Sequence, residues 1–117
     1  MEKLFDAELR LMEIIWAYEP VSAKEISLIA AEQCGWNKNT TYTVIKRLIE
    51  KEVLRRKEPG FVCSSVVKRD EVQKAETNTL IEKLFGGSKK AFFSAFADEQ
   101  LSPEEVEALK ALIERKG

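Results

Sequence analysis

Asn39, Thr40 and Thr43, with Lys38, Lys46 and Arg47 spaced around them, are the residues of this chain best suited to chemistry, and that chemistry is nucleic-acid recognition. An Asn amide matches the adenine edge with two hydrogen bonds. A Thr methyl packs on thymine while its hydroxyl takes a phosphate or a base, and an Arg guanidinium reaches guanine or the backbone. Lys38, Lys46 and Lys51 suit phosphates, which set register and salt dependence without specifying sequence. Tyr42 lies at the edge of the set: either its hydroxyl reaches a phosphate or its ring packs between helices. Arg55, Arg56 and Lys57 extend the basic run, and strand alternation puts Arg55 and Lys57 on one face with Arg56 on the other. They serve the neighbouring backbone or minor groove, or else act as edge-strand charges that block aggregation.

Charge distribution supports this reading better than the total does. The chain of 117 residues has a net charge of −1. Residues 1–37 hold three Lys/Arg against seven Asp/Glu, a local −4, whereas residues 38–57 hold seven against two, a local +5. A phosphate interacts only with charges inside about one Debye length, roughly 8–10 Å, so the local value matters. A solvated charged face is the competing reading of any such run.

Other chemistries find little to work with. Histidine is absent, which removes the commonest general base and zinc ligand. No phosphate-binding glycine loop or nucleophile elbow is present, so an enzyme is disfavoured, and neither a metal nor a cofactor is expected. Cys34 and Cys63 make no disulfide framework and read as small buried thiols rather than a redox switch. The longest apolar stretch, residues 91–97, is interrupted by Ser94 and too short to span a bilayer. The amino terminus lacks a secretory pattern, so a folded cytoplasmic protein is expected, with no membrane partner.

The elements that must position the basic set are legible from caps and spacing. Asp6 is placed to cap a first helix bearing Leu9, Met12, Ile15 and Trp16, which Pro20 closes. Val21-Ser22-Ala23-Lys24-Glu25-Ile26 combines a capping box, Ser22 with Glu25, and a staple, Val21 with Ile26. The helix it opens buries Ile26, Ile29 and Ala30 and ends at Cys34-Gly35, where glycine takes the left-handed stop. Asn37 caps the next helix, expected to run to about residue 52, with Thr41, Val44, Ile45, Leu48 and Ile49 as its buried stripe. Helix, short glycine-containing turn and amphipathic helix form a helix-turn-helix, whose second helix enters the major groove amino-terminus first. Strand-like runs at residues 53–57 and 61–66 flank Glu58-Pro59-Gly60, so a β-hairpin wing follows. The fold class is therefore mainly α: a winged helix-turn-helix over residues 1–67, then a three-helix region over residues 68–117.

That last region reads as helices over residues 69–85, a short segment capped by Ser88, and a helix opened by Leu101-Ser102-Pro103-Glu104-Glu105-Val106. Fifty residues this apolar cannot close a core alone, since below about 70–80 residues a single core stabilises weakly. Homodimerisation through Leu80, Leu84, Phe92, Phe93, Phe96, Val106, Leu109, Leu112 and Ile113 is the economical solution. Docking back as one monomeric globule is the alternative, and a ligand pocket lined by Phe92, Phe93 and Phe96 is the less favoured use of those rings.

Several segments then carry a family resemblance. Asp6-Ala7-Glu8, Ile14-Ile15-Trp16, Val21-Ser22-Ala23-Lys24-Glu25-Ile26, Trp36 and Thr40-Thr41-Tyr42-Thr43-Val44-Ile45-Lys46-Arg47-Leu48 together resemble the BlaI/MecI/CopY penicillinase-repressor family of transcriptional regulators. Leu101-Ser102-Pro103-Glu104-Glu105 fits the family's last helix. The resemblance implies a homodimer with an amino-terminal winged helix, repressing promoters at two-fold symmetric operators in double-stranded DNA. It also implies an upstream sensor or protease that cuts the dimerisation region. The family's best-known cleavable bond is Asn-Phe, whereas the matching bond here is approximately Ser94-Ala95. The copper-responsive branch ends in paired cysteines, and this chain ends Glu114-Arg115-Lys116-Gly117. A winged-helix protein-interaction module without DNA binding is the alternative function.

Overall fold

The first helix, α1 (Asp6–Tyr18), begins one residue earlier than an Asp6 cap would have it. Phe5 occupies the cap position, and its N–H donates to the Glu8 carboxylate at 2.7 Å. A carboxylate at the third helical position reaches back to an orphan donor as in a capping box, which leaves Asp6 free to be helical. This computed structural model describes residues 3–97 and 102–114. Among them no helix is long and apolar enough to cross a membrane. Two compact units are present, residues 1–69 and residues 70–117.

In the first unit, α1 is followed by β1 (Val21–Ser22), α2 (Ala23–Cys34), α3 (Lys38–Glu50), β2 (Leu54–Lys57) and β3 (Val62–Ser65). The Ser22 hydroxyl accepts from the Glu25 N–H at 3.1 Å and donates to the Glu25 carboxylate at 3.0 Å. Gly35 ends α2 with φ +69 and ψ +22. A Cβ there would meet nothing within 4 Å, so only the left-handed backbone requires glycine. Asn37 caps α3 by accepting the Thr40 N–H at 2.8 Å.

Helix α3 stops two residues short of its expected end. Glu52 turns left-handed at φ +62, and the Val53 N–H bonds back to the Leu48 carbonyl at 3.2 Å. Val53 is 1% exposed, and carrying it into the core forces the chain to leave the helix axis. In the hairpin, β2 begins one residue inside its expected run and ends where expected, and β3 begins and ends one residue inside its own.

The sheet has three antiparallel strands in the order β1-β3-β2, a winged-helix arrangement. Its third member was not expected: Val21 and Ser22, read only as helix-start residues, pair with Cys63 and Val62. Leu11, Met12 and Ile15 of α1, Ile26 and Ala30 of α2, and Ile45 and Leu48 of α3 are fully buried. Leu9 and Trp16 of α1, Ile29 of α2 and Ile49 of α3, expected inside, are only half-buried, while Leu11 and Ile14 are buried. Thr41 is also fully buried, and its hydroxyl donates to the Asn37 carbonyl at 3.2 Å, which offsets its desolvation.

The chain leaving β3 is laid along one stripe of α1. The Ser65 amide and hydroxyl both donate to the Glu19 carboxylate, at 2.6 and 2.8 Å. The Trp16 indole N–H donates to the Val67 carbonyl at 3.1 Å, and Arg69 pairs with Glu13 at 3.1 Å. Residues 65, 67 and 69 alternate as an extended chain does, whereas 19, 16 and 13 are three apart as on one helix face.

The second unit contains α4 (Arg69–Phe85, entered from the first unit), α5 (Lys89–Ala97) and α6 (Pro103–Glu114). Ser88 accepts the Ala91 N–H at 3.0 Å. Ser102 and Glu105 form a full reciprocal box, at 3.1 and 2.9 Å, and those bonds from Ser102 hold the Glu105 carboxyl below its ordinary range. Ile81 and Phe92 form a small core, with Phe85 and Phe93 packed against it. Phe92, expected at a dimer interface, is 4% exposed within a single chain, edge-on to Phe85 and Phe96 at centroid distances of 5.5 and 5.1 Å. Its ring is consumed by the unit's own packing. Leu80, Leu84 and Phe96 are exposed and Val106 is half-buried. Leu101 and the side chains of Leu109, Leu112 and Ile113 lie outside the described residues.

Candidate nucleic-acid interface

Burial splits α3 into two faces. Thr41, Val44, Ile45 and Leu48 point into the first unit, and Lys38, Asn39, Thr40, Thr43, Lys46 and Arg47 are exposed. Packing the apolar stripe against α1 and α2 therefore turns the polar stripe outward as a set. Its first turn holds no acidic residue, so nothing opposes the positive end of the helix dipole. A side-chain cap, a positive helix end and three cations along one face make an anion-seeking surface.

The Thr43 hydroxyl donates to the Asn39 carbonyl at 2.9 Å. With its proton engaged inside the helix, Thr43 offers outward a methyl group and acceptor lone pairs rather than a donor. The two uses open to Tyr42 also separate. Its half-buried ring meets Phe61 edge-on, with centroids 5.9 Å apart and planes at 89°. The Lys38 ammonium stands 5.7 Å from the Tyr42 centroid, and the contact with Phe61 packs the ring between α3 and the wing.

Two members of the expected contact set are engaged elsewhere. Lys51 closes α3 and turns inward: its ammonium lies 2.7 Å from Glu8 and 2.8 Å from the Lys3 carbonyl, over the Phe5 ring at 4.6 Å. Glu8 is 1% exposed, and a carboxylate so buried needs a cation, which Lys51 supplies. Arg56 is the second. Its Nε donates to the Glu58 carboxylate and its guanidinium stacks 3.6 Å above Phe61. That pairing with Arg56 holds the Glu58 carboxyl below its ordinary range, with the Phe61 N–H adding to the effect.

The β2–β3 register explains the difference among the wing cations. Arg56 lies opposite buried Cys63, while Arg55 and Lys57 lie opposite Ser64 and Val62. Arg56 thus shares the inward face of the hairpin, and Arg55 and Lys57 share the outward one. Cys63 is fully buried, and burial pushes its thiol up to about 11; Cys34 is half-buried.

Glu8, Glu58 and Phe61 were not singled out from the sequence. Glu8 left a trace, standing three residues after Phe5 at capping-box spacing. Phe61 left none, because its partners are brought to it by the turn and by α3.

Comparison with known proteins agrees with this architecture. The family model described as Penicillinase repressor matches residues 4–115. The chain is 34% identical over 110 residues to a penicillinase repressor of Staphylococcus aureus, covering 92% of this chain and 87% of that one. It is 28% identical over 117 residues to the methicillin resistance regulatory protein MecI of Mammaliicoccus sciuri, covering 97% and 95%. An uncharacterized 16.5 kDa protein of Latilactobacillus sakei is 26% identical over 113 residues, covering 94% and 77%.

Proposed function

This chain belongs to the penicillinase-repressor family, and we propose that it represses transcription as a homodimer that sets α3 of each copy into the major groove of a two-fold symmetric operator. The family is one of transcriptional repressors and not of enzymes. The observation that carries the DNA-binding reading is the exposed row Lys38, Asn39, Thr40, Thr43, Lys46 and Arg47, opposite a fully buried stripe on one capped helix. Asn39, Thr40 and Thr43, in the first two turns, meet base edges. Arg47 reaches guanine or the backbone, and Lys38 and Lys46 hold phosphates. Arg55 and Lys57 add backbone contacts from the wing.

One such helix offers few contacts, and paired half-sites are the usual remedy. Residues 70–117 support pairing: among the described residues, Leu80, Leu84 and Phe96 are exposed beside a small core of Ile81 and Phe92. Apolar side chains left in water beside so small a core favour self-association. In this reading the first unit binds DNA and the second holds two copies together.

The test is fluorescence anisotropy with DNA from upstream of the protein's own gene at low salt. Tight, steeply salt-dependent binding at two chains per site is expected. Neutralising Lys38, Lys46 and Arg47 together abolishes it. Absence of binding overturns the reading, and a protein partner whose binding ignores those three substitutions would favour the interaction-module alternative.

A further inference from the structure

A stacked column of side chains joins the first turn of α3 to the tip of the wing. Lys38 stands over Tyr42, Tyr42 meets Phe61 edge-on, and Arg56 covers Phe61 at 3.6 Å. Glu58 closes the column by holding the Arg56 Nε with one oxygen and the Phe61 N–H with the other, the latter at 3.2 Å. Phe61 is the member that touches both elements. Its carbonyl also accepts the Ala23 N–H at 2.9 Å, so its backbone is tied to the start of α2 as well.

The backbone of Phe61 makes the ring's presence informative. Its φ is +49, in the left-handed region that side chains with a Cβ rarely adopt. Glycine would take this conformation without strain, as neighbouring Gly60 does at φ +91. A phenylalanine held there indicates that the position needs the ring. The ring meets a cation on the wing and an aromatic on α3, and each contact favours a defined geometry.

We propose that Phe61 is a positioning residue for DNA binding, which locks the wing to α3 so that Arg55, Lys57 and the amino-terminal end of α3 meet a duplex as one rigid surface. The proposal rests on the reading of α3 as the DNA-contacting helix. Arg56 then acts as a plate of the column, paired to Glu58 at the surface, while Arg55 and Lys57 on the opposite strand face carry the wing's contacts. Without the ring the tip of the wing loses its aromatic contact with α3, and its phosphate contacts must be ordered during binding.

The experiment uses the full chain carrying Phe61→Tyr, Phe61→Leu or Phe61→Gly. Binding to the upstream DNA and to a random duplex of equal length is followed across a salt series, beside thermal unfolding. The tyrosine variant is expected within about twofold of wild type, since it keeps the π face. The leucine and glycine variants lose roughly five- to twentyfold on both duplexes, and the slope of log affinity against log salt becomes shallower by about one, the signature of one lost phosphate contact. Their melting temperatures do not track the loss; the leucine variant, which keeps apolar bulk, decides the matter if the glycine variant melts early. Wild-type affinity and slope in the leucine variant overturn the proposal. So does a loss of affinity that follows melting temperature with the slope unchanged, because that is a purely structural role. A wild-type chain that binds neither duplex overturns the DNA-binding reading itself, before any variant is compared.

Discussion

The Lys51 ammonium lies 2.7 Å from the Glu8 carboxylate, so the residue that closes α3 is ion-paired to the first turn of α1. The two side chains are 16% and 2% exposed. Glu8 Oε1 takes both Lys51 and the Phe5 N–H, while among the described residues Oε2 is buried with no hydrogen-bond partner. Removing one member of a buried pair strands the other charge. Lys51→Met is therefore expected to destabilise the protein by about 2–4 kcal/mol in urea unfolding, and Glu8→Leu with Lys51→Met to recover most of that. The salt slope of DNA binding should not change. Unaltered stability with a shallower slope would return Lys51 to the phosphate contacts.

Arg47 and Lys46 are adjacent on the exposed face of α3 but differ in what they can recognise. Arg47→Ala should weaken specific binding by about 1–3 kcal/mol if the guanidinium makes a bidentate base contact. Lys46→Ala should weaken all sequences alike and flatten the salt slope by about one. A competition assay with single-base operator variants checks both, and selective loss at one base pair for Lys46→Ala would contradict its assignment.

Along the stripe of α1 that holds residues 65–69, the contacts differ in burial. Glu19 receives the Ser65 amide and hydroxyl in a partly buried setting, so Glu19→Ala should cost about 1.5–3 kcal/mol and remove hydrogen-exchange protection at the Ser65 amide. The Glu13–Arg69 pair is 50% and 59% exposed, and Glu13→Ala should cost at most about 1 kcal/mol. Equal costs in urea unfolding would refute this ordering.

Burial raises the Cys63 thiol to about 11, whereas an unfolded thiol titrates near 9. The folded state thus holds the proton more tightly. This contribution to stability is complete below the unfolded value and is lost as pH rises from about 9 through about 11. At neutral pH a thiol reagent should label half-buried Cys34 first, with Cys63 reacting only on unfolding. Cys63→Ser should steepen no alkaline loss; it should remove this part of it. Rapid labelling of Cys63 in the native state would contradict the assignment.

Leu84 is 65% exposed and Phe92 is 4% exposed in the same unit, so their substitutions should separate. Leu84→Glu should shift sedimentation equilibrium toward monomer and lower operator affinity while helicity persists. Phe92→Ala should instead cost about 3–5 kcal/mol through loss of core packing, visible as reduced helicity or earlier melting. A Leu84→Glu chain that sediments as wild type would remove this face from the interface.

Local signals in the sequence determined the helices and, α1 apart, their starts. Ser22, Asn37, Ser88 and Ser102 each accept the N–H three residues on, and Gly35 takes its left-handed stop, because caps depend on neighbours a few positions away. The 3.6-residue period likewise separated the buried stripe of α3 from Lys38, Asn39, Thr40, Thr43, Lys46 and Arg47. Tertiary structure decided which of the basic residues have partners within the chain. Lys51 meets Glu8 across 43 positions, Arg56 is set over Phe61 by the hairpin, and Tyr42 finds Phe61 only when the wing folds beside α3. A charge read along the chain carries its sign but not its partner. The partner is set by packing between elements, as the buried Glu8 carboxylate and the Phe61 ring show for Lys51 and Arg56.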